Sequence, residues 1–220
     1  MHTKHIAIAV CLVVVAVAGC SSTAAPTDSL PADEGFQWTY QDNADAYMTE
    51  VRAFDVQIAE VIEESRAGGA SASQIGLLEQ AQADGQLKLE QARTASRSTI
   101  ACFEANGLAA QYEESEDAGV STPSYLVQAQ DDGELASRDS CEVSESFWVN
   151  YLYQTQAATI EQTLAYLEEH RTALERCVSD AGFEVAPDAT GLELAFQAEE
   201  VATRTSHSVN CLSDIGVSSL

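Results

Sequence analysis

Apolar side chains recur every three or four residues from about residue 43 onward, the spacing of one helical face. Tyr47, Met48, Val51, Phe54, Ile58, Val61 and Ile62 share such a face, with Glu50, Asp55, Glu60 and Glu63 on others. The spacing predicts one amphipathic helix over 43–66, capped by Asp42 or Asn43 and stopped by Gly68-Gly69. Ser71 or Ser73 opens a second helix, with Ile75, Leu77, Leu78 and Ala81 on its apolar side and Asp84-Gly85 at its end. A third covers about 87–106 and carries Leu87, Ala92, Ile100 and Phe103. Between 107 and 139 the period changes. Segments 108–112 and 124–129 are β-compatible; the acidic stretch 113–119 and Thr122-Pro123 separate them. A small hairpin with an acidic loop is expected there. From about Asp139 the helical period returns. Val143, Phe147, Trp148, Tyr151 and Leu152 form one stripe; Ile160, Leu164, Leu167 and Leu174 continue it past a bend near 154–156. Residues 187–191 read as a turn, and a last helix runs from about 192 to 215. The expected fold class is mainly α: an antiparallel helical domain with a small β-hairpin insertion and two disulfides.

One pattern occurs three times. Cys102-Phe103-Glu104-Ala105-Asn106-Gly107-Leu108, Cys177-Val178-Ser179-Asp180-Ala181-Gly182-Phe183 and Cys211-Leu212-Ser213-Asp214-Ile215-Gly216-Val217 each read Cys, apolar, three residues, Gly, apolar. Helix termination explains the spacing. Glycine sits just past the cap in a left-handed conformation, and the apolar residue after it meets the one after cysteine. Three helices should therefore end alike, each with a cysteine in its last turn. Cys141 instead falls near a helix start. Four cysteines allow three pairings. The economical one joins Cys102 to Cys141, closing the hairpin insertion at its base, and Cys177 to Cys211, tying consecutive helices at one end. A metal site is disfavoured because no Cys-x-x-Cys spacing is present.

The N-terminus has its own pattern. Met1-His2-Thr3-Lys4-His5 is short and basic, and an apolar run follows from Ile6 to Ala18. That layout reads as a secretory signal peptide, and the run is too short for a permanent membrane-spanning helix. Residues 21–35 are small, polar and proline-bearing, so they read as a flexible tether able to reach roughly 50 Å. The expected organisation is a leader over 1–19, an anchor and linker over 20–36, and a single disulfide-stabilised helical domain over 37–220. Export places the four remaining cysteines in an oxidising compartment.

Charge narrows the partners. The chain holds 35 acidic residues against 10 Lys plus Arg, a net charge of −25. Losing Lys4 with the leader makes the remainder more negative still. Such a surface repels phosphate backbones and anionic headgroups, which argues against nucleic acid as a partner. With 45% hydrophobic residues the chain can nevertheless build a core.

Candidate chemistry is sparse. Beyond the leader the histidines are His170 and His207, and neither lies in a metal-ligand spacing. Asp84-Gly85-Gln86-Leu87 resembles the middle of a calcium loop, but glutamines stand at 80, 82 and 91 where carboxylates are needed. No nucleophile motif, phosphate loop or dinucleotide fingerprint occurs. No catalytic residue and no metal or cofactor is assigned, and a non-enzymatic role is favoured. Phe147-Trp148-Val149-Asn150-Tyr151-Leu152-Tyr153 is the densest aromatic segment. The i, i+4 pairs Phe147–Tyr151 and Trp148–Leu152 favour a core face. If exposed instead, Trp148, Tyr151 and Tyr153 would form a patch able to stack on a sugar or a peptide.

Val17-Ala18-Gly19-Cys20 resembles the lipobox of bacterial lipoproteins. Together with the tether, the Cys-x4-Gly helix ends and the preference for Arg and Ala over Lys, the chain resembles uncharacterised cell-envelope lipoproteins of actinobacteria. The resemblance implies a diacylglycerol on Cys20 and anchoring at the outer face of the cytoplasmic membrane, and it carries over no other functional residue. The function expected is a membrane-anchored extracytoplasmic binding or interaction module with a protein or cell-wall partner. The alternatives are an envelope hydrolase using a carboxylate pair and a solute-binding lipoprotein of a transporter.

Overall fold

The structure, a computed structural model, describes residues 40–218. The expected leader, Cys20, the expected tether and Trp38 lie outside the described residues. Among those described, helices α1 (Tyr40–Glu50), α2 (Phe54–Gly68), α3 (Ala72–Asp84) and α4 (Leu89–Ala105) precede a hairpin of β1 (Ala110–Asp117) and β2 (Val120–Val127). Helices α5 (Asp132–Glu145), α6 (Phe147–Thr155), α7 (Ala157–Glu169), α8 (Arg171–Asp180), α9 (Gly191–Arg204) and α10 (Cys211–Asp214) follow. The expected mainly helical class with one antiparallel hairpin and two disulfides is what the chain forms. No described helix is long and apolar enough to cross a membrane.

Two apolar cores organise these elements. Ile58, Val61 and Ile62 of α2 meet Leu78, Ala92, Ala95, Val149 and Leu152 in the first. Leu167, Leu174, Val178, Leu194, Ala195, Ala198 and Val201 fill the second, where Ala44 of α1 also packs. The hairpin turn joins them, because Ala118 belongs to the second core and Val120 to the first. Gly119, at the turn, lies so close to the Tyr166 ring that a Cβ there would stand 2.8 Å from it. Gly191 makes a second close approach: its Cβ would stand 2.5 Å from the Leu167 carbonyl carbon, so α9 starts directly against the backbone of α7.

The division into two cores breaks the first expected helix. Residues 51–53 interrupt the stretch read as continuous, and Ala53 is extended at ψ 134°. No glycine or proline causes this break. Packing does: Ala44 and Tyr47 turn to the second core, Phe54, Ile58 and Val61 to the first. The second helix keeps its expected limits. The Ser71 hydroxyl accepts the Gln74 N–H, and Gly85 closes the end at φ 75°. Asp84 pairs with Lys88 at 2.8 Å, as in a plain helix connection.

All three Cys-x4-Gly segments end helices as expected. Gly107, Gly182 and Gly216 have φ of 79°, 88° and 76°. The N–H of Leu108, Phe183 and Val217 reaches back to the carbonyl of Phe103, Val178 and Leu212 at 2.9, 3.2 and 2.9 Å. This is the six-to-one bond of a Schellman end. Both favoured disulfides form, Cys102–Cys141 and Cys177–Cys211, each with Cα atoms 5.7 Å apart. The first closes a small third core of Phe103, Leu108 and Cys141 under the hairpin, which Tyr125 and Val127 cover.

Three further expectations need correction. The acidic stretch 113–117 is strand rather than loop: Glu113 pairs with Ser124, Glu114 with Pro123 and Glu116 with Ser121, leaving Ala118–Gly119 as the turn. Arg93 holds Glu114 at 2.6 Å and draws its carboxylate down to about 2, largely by that hydrogen bond. The helix expected from Asp139 begins seven residues earlier, where Asp131 accepts the Glu134 N–H at 2.9 Å. The last helix is not continuous to 215. It closes at Ser206 and His207, both left-handed at φ 51° and 60°, and α10 restarts at Cys211 so that this sulfur reaches Cys177.

Candidate binding site

The expected bend at 154–156 is built around Gln156, whose ψ of 149° separates α6 from α7. Its buried amide donates to the Leu87 carbonyl at 2.8 Å and accepts the Leu87 N–H at 2.9 Å, fixing the entry to α4. A second joint separates α5 from α6 at Ser146, and Gln74 of α3 fills it. The Gln74 amide donates to the carbonyls of Val143 and Ser144 at 3.0 and 2.6 Å. It accepts the N–H groups of Trp148 and Val149 at 2.8 and 3.3 Å. The two glutamines thus set where α6 begins and ends, and so which of its aromatic rings face solvent.

The favoured core face fails for the Phe147–Tyr151 pair, and the alternative patch of Trp148, Tyr151 and Tyr153 does not form either. Phe147 and Tyr151 are 49% and 42% exposed, whereas Val149 and Leu152 supply the core face. Trp148 is half-buried, its ring over Gly68 and edge-on to Phe147 with centroids 4.9 Å apart. Tyr153 is buried and donates its hydroxyl to the Ser121 carbonyl at 3.0 Å. Burial pushes that hydroxyl's pKa up. The exposed aromatic pair is therefore Phe147 and Tyr151, and Tyr153 belongs to the core because helix α6 lays its 149, 152 and 153 positions against α2 to α4.

Beside Tyr151 a cavity of about 230 Å³ opens at the break between α1 and α2. Tyr47 and Val51 come from the α1 side, Arg52 from the break, Gln57 from α2, Tyr151, Gln154 and Thr155 from α6, and Ile160 from α7. Burial raises the Tyr47 hydroxyl's pKa. Arg52 is paired with Glu60, and that hydrogen bond raises its pKa. Gln57 is only 3% exposed. Its Nε2 donates to Thr155 Oγ1 at 2.7 Å, while its Oε1 is buried without a partner. Thr155 spends its own hydrogen on the Tyr151 carbonyl at 2.8 Å, so its oxygen can only accept from Gln57. That fixes the amide's orientation and leaves the carbonyl oxygen as the unpaired atom. Sequence reasoning assigned position 57 no role, since a glutamine between apolar positions reads as a solvated face.

A larger groove of about 700 Å³ lies between the start of α1 and the loop entering α9. Several of its polar groups are already committed. Glu193 accepts the Thr190 N–H at 2.6 Å, and Gln197 donates to the Glu184 carbonyl at 2.7 Å. Tyr40 donates to Glu200 and is pushed up to about 12, chiefly by burial. The smaller cavity is the one with an unmet buried acceptor.

His170 stacks on Tyr166, centroids 4.1 Å apart, and His207 sits exposed in the turn after α9. Neither lines the cavity or the groove. Among the described residues no group of three His, Cys, Asp or Glu is placed to hold a metal ion.

No family model, curated protein or solved structure matches this chain.

Proposed function

We propose that the chain is an extracytoplasmic lipoprotein whose helical domain is a binding module. In this reading residues 1–19 direct export and are removed, Cys20 carries a diacylglycerol, and residues 21–35 tether the domain to the outer face of the cytoplasmic membrane. The proposed partner is a protein or component of the cell envelope. The lipobox-like Val17-Ala18-Gly19-Cys20 and the resemblance to actinobacterial envelope lipoproteins motivate it.

One observation carries the reading: the use of the cysteines. Four of six are paired in two disulfides, and Cys11 lies inside the proposed leader. Cys20 is then the single thiol left over, as lipidation requires. Disulfides of this structural kind persist in exported proteins and are rare in the reducing cytosol. Two acyl chains give stable anchoring where one does not. The strongly acidic surface disfavours direct contact with anionic headgroups, so the lipid rather than the protein face would hold the membrane.

Replacing Cys20 tests this. In cell fractionation, Cys20→Ser should release the protein to the medium or leave it unprocessed at its full mass. Unchanged retention of a processed protein in the membrane fraction would contradict anchoring through this residue.

A further inference from the structure

We propose that the cavity between α1, α2 and α6 binds one neutral sugar ring. The proposal deepens the binding-module reading and rests on it for the setting, an envelope rich in glycan.

The Gln57 carbonyl oxygen is buried without a partner, on a residue that lines the cavity. That oxygen is closed to solvent; an occupant that brings an N–H or O–H donor meets it as the amide turns outward, and an acceptor left unmet favours such an occupant. The rest of the lining restricts what that occupant is. Among the described side chains no carboxylate lines the cavity, although the chain has 35 acidic residues, so none of them draws a cation there. The one cationic side chain, Arg52, is already neutralised by Glu60, which weakens the case for an anion. A purely apolar occupant would leave Gln57 Oε1 unpaired. What fits is a neutral molecule with hydroxyls on its edge and an apolar face.

The remaining lining supplies both kinds of contact. Tyr47, Val51, Tyr151 and Ile160 offer apolar surface, and the exposed Tyr151 ring can stack on the C–H face of a pyranose. Gln154 adds an amide able to donate and accept. The size selects a single ring: about 230 Å³ is below the range of about 300–1,000 Å³ that takes drug-sized ligands. A sugar at the end or edge of a glycan meets all of these conditions. The exposed Phe147, one turn before Tyr151, extends the aromatic face for the next ring.

The test uses the full chain as purified from membranes in detergent. Saturation-transfer NMR and calorimetric titration are run with methyl β-glucoside and methyl N-acetyl-β-glucosaminide. Saturable binding of at least one is expected. Tyr151→Ala and Gln57→Met should each weaken it about tenfold, the scale of one lost hydrogen bond or stacking contact. Tyr151 is exposed, so its variant should unfold at the wild-type temperature and keeps the test valid if the buried variant folds poorly. Absence of saturable binding for both glycosides would overturn the proposal and leave the oxygen to water. Binding unchanged in Tyr151→Ala would also overturn it, by placing the sugar elsewhere. Anchoring is read separately by Cys20→Ser fractionation, so failure of one does not mimic failure of the other.

Discussion

Gln74→Leu is expected to cost about 3–5 kcal/mol of stability, although it replaces one polar residue on a helix by an apolar one of similar volume. Gln74 is fully buried, and its amide meets four backbone groups across the α5–α6 joint. Leucine meets none of them. The Val143 carbonyl and the two N–H groups at the start of α6 would be left unpaired in a site closed to water, each costing about 1–3 kcal/mol before relaxation, while the Ser144 carbonyl keeps the Ser71 N–H at 2.8 Å. Gln74→Glu should not rescue the loss: an ionised carboxylate can accept the two N–H groups but has nothing to donate to the carbonyls of Val143 and Ser144, and burying its charge adds a further cost. Gln80→Leu, at an exposed position of the same helix, should stay within about 0.5 kcal/mol of wild type. Urea denaturation measures all three, with unchanged slope showing that the comparison concerns stability alone. A loss below about 1 kcal/mol for Gln74→Leu would mean that the joint does not depend on this amide.

The second large effect concerns the C-terminal segment. Removing the Cys177–Cys211 bridge by the double change Cys177→Ala and Cys211→Ala should cost about 3–4 kcal/mol, from the loop entropy of 34 residues alone. In a domain of this size that lowers the melting temperature by roughly 10 °C. A specific local consequence accompanies it. Helix α10 is four residues long, far below the length at which a helix persists unaided. The bridge to α8 and the burial of Leu212, Ile215 and Val217 in the second core are what keep it in place. Without the bridge this segment should become the first site of proteolytic cleavage. A melting temperature within a degree or two of wild type would show that burial alone suffices.

These two predictions also mark where the sequence was legible. The Cys-x4-Gly ends could be read because their cause is local: a left-handed glycine, a reaching N–H and an apolar pair all lie within seven residues. The disulfide partners were favoured for economy among three pairings, one bridge closing the hairpin insertion and one tying consecutive helices. Gln57, Gln74 and Gln156 could not be read, because each is defined by a partner 69 to 98 positions away. Periodicity assigns such residues to solvent; here they fill helix joints. The break at 51–53 was hidden for a related reason. Its residues favour a helix, and only the choice between two cores bends the chain. Strand β1 was masked by its composition, since Glu113, Glu114 and Glu116 suit a loop until β2 and Arg93 take them up. On α6 the i, i+4 pairs were correctly seen to share faces, but the sequence could not say that Phe147 and Tyr151 share the outer one.

The most direct test of the account is the intact mass of the protein isolated from native membranes, with and without reduction before alkylation. The account predicts a chain beginning at Cys20 and carrying a diacylglycerol, with no alkylation until reduction exposes four thiols. A protein retaining residues 1–19, without lipid, with free thiols at 102, 141, 177 and 211, would contradict it.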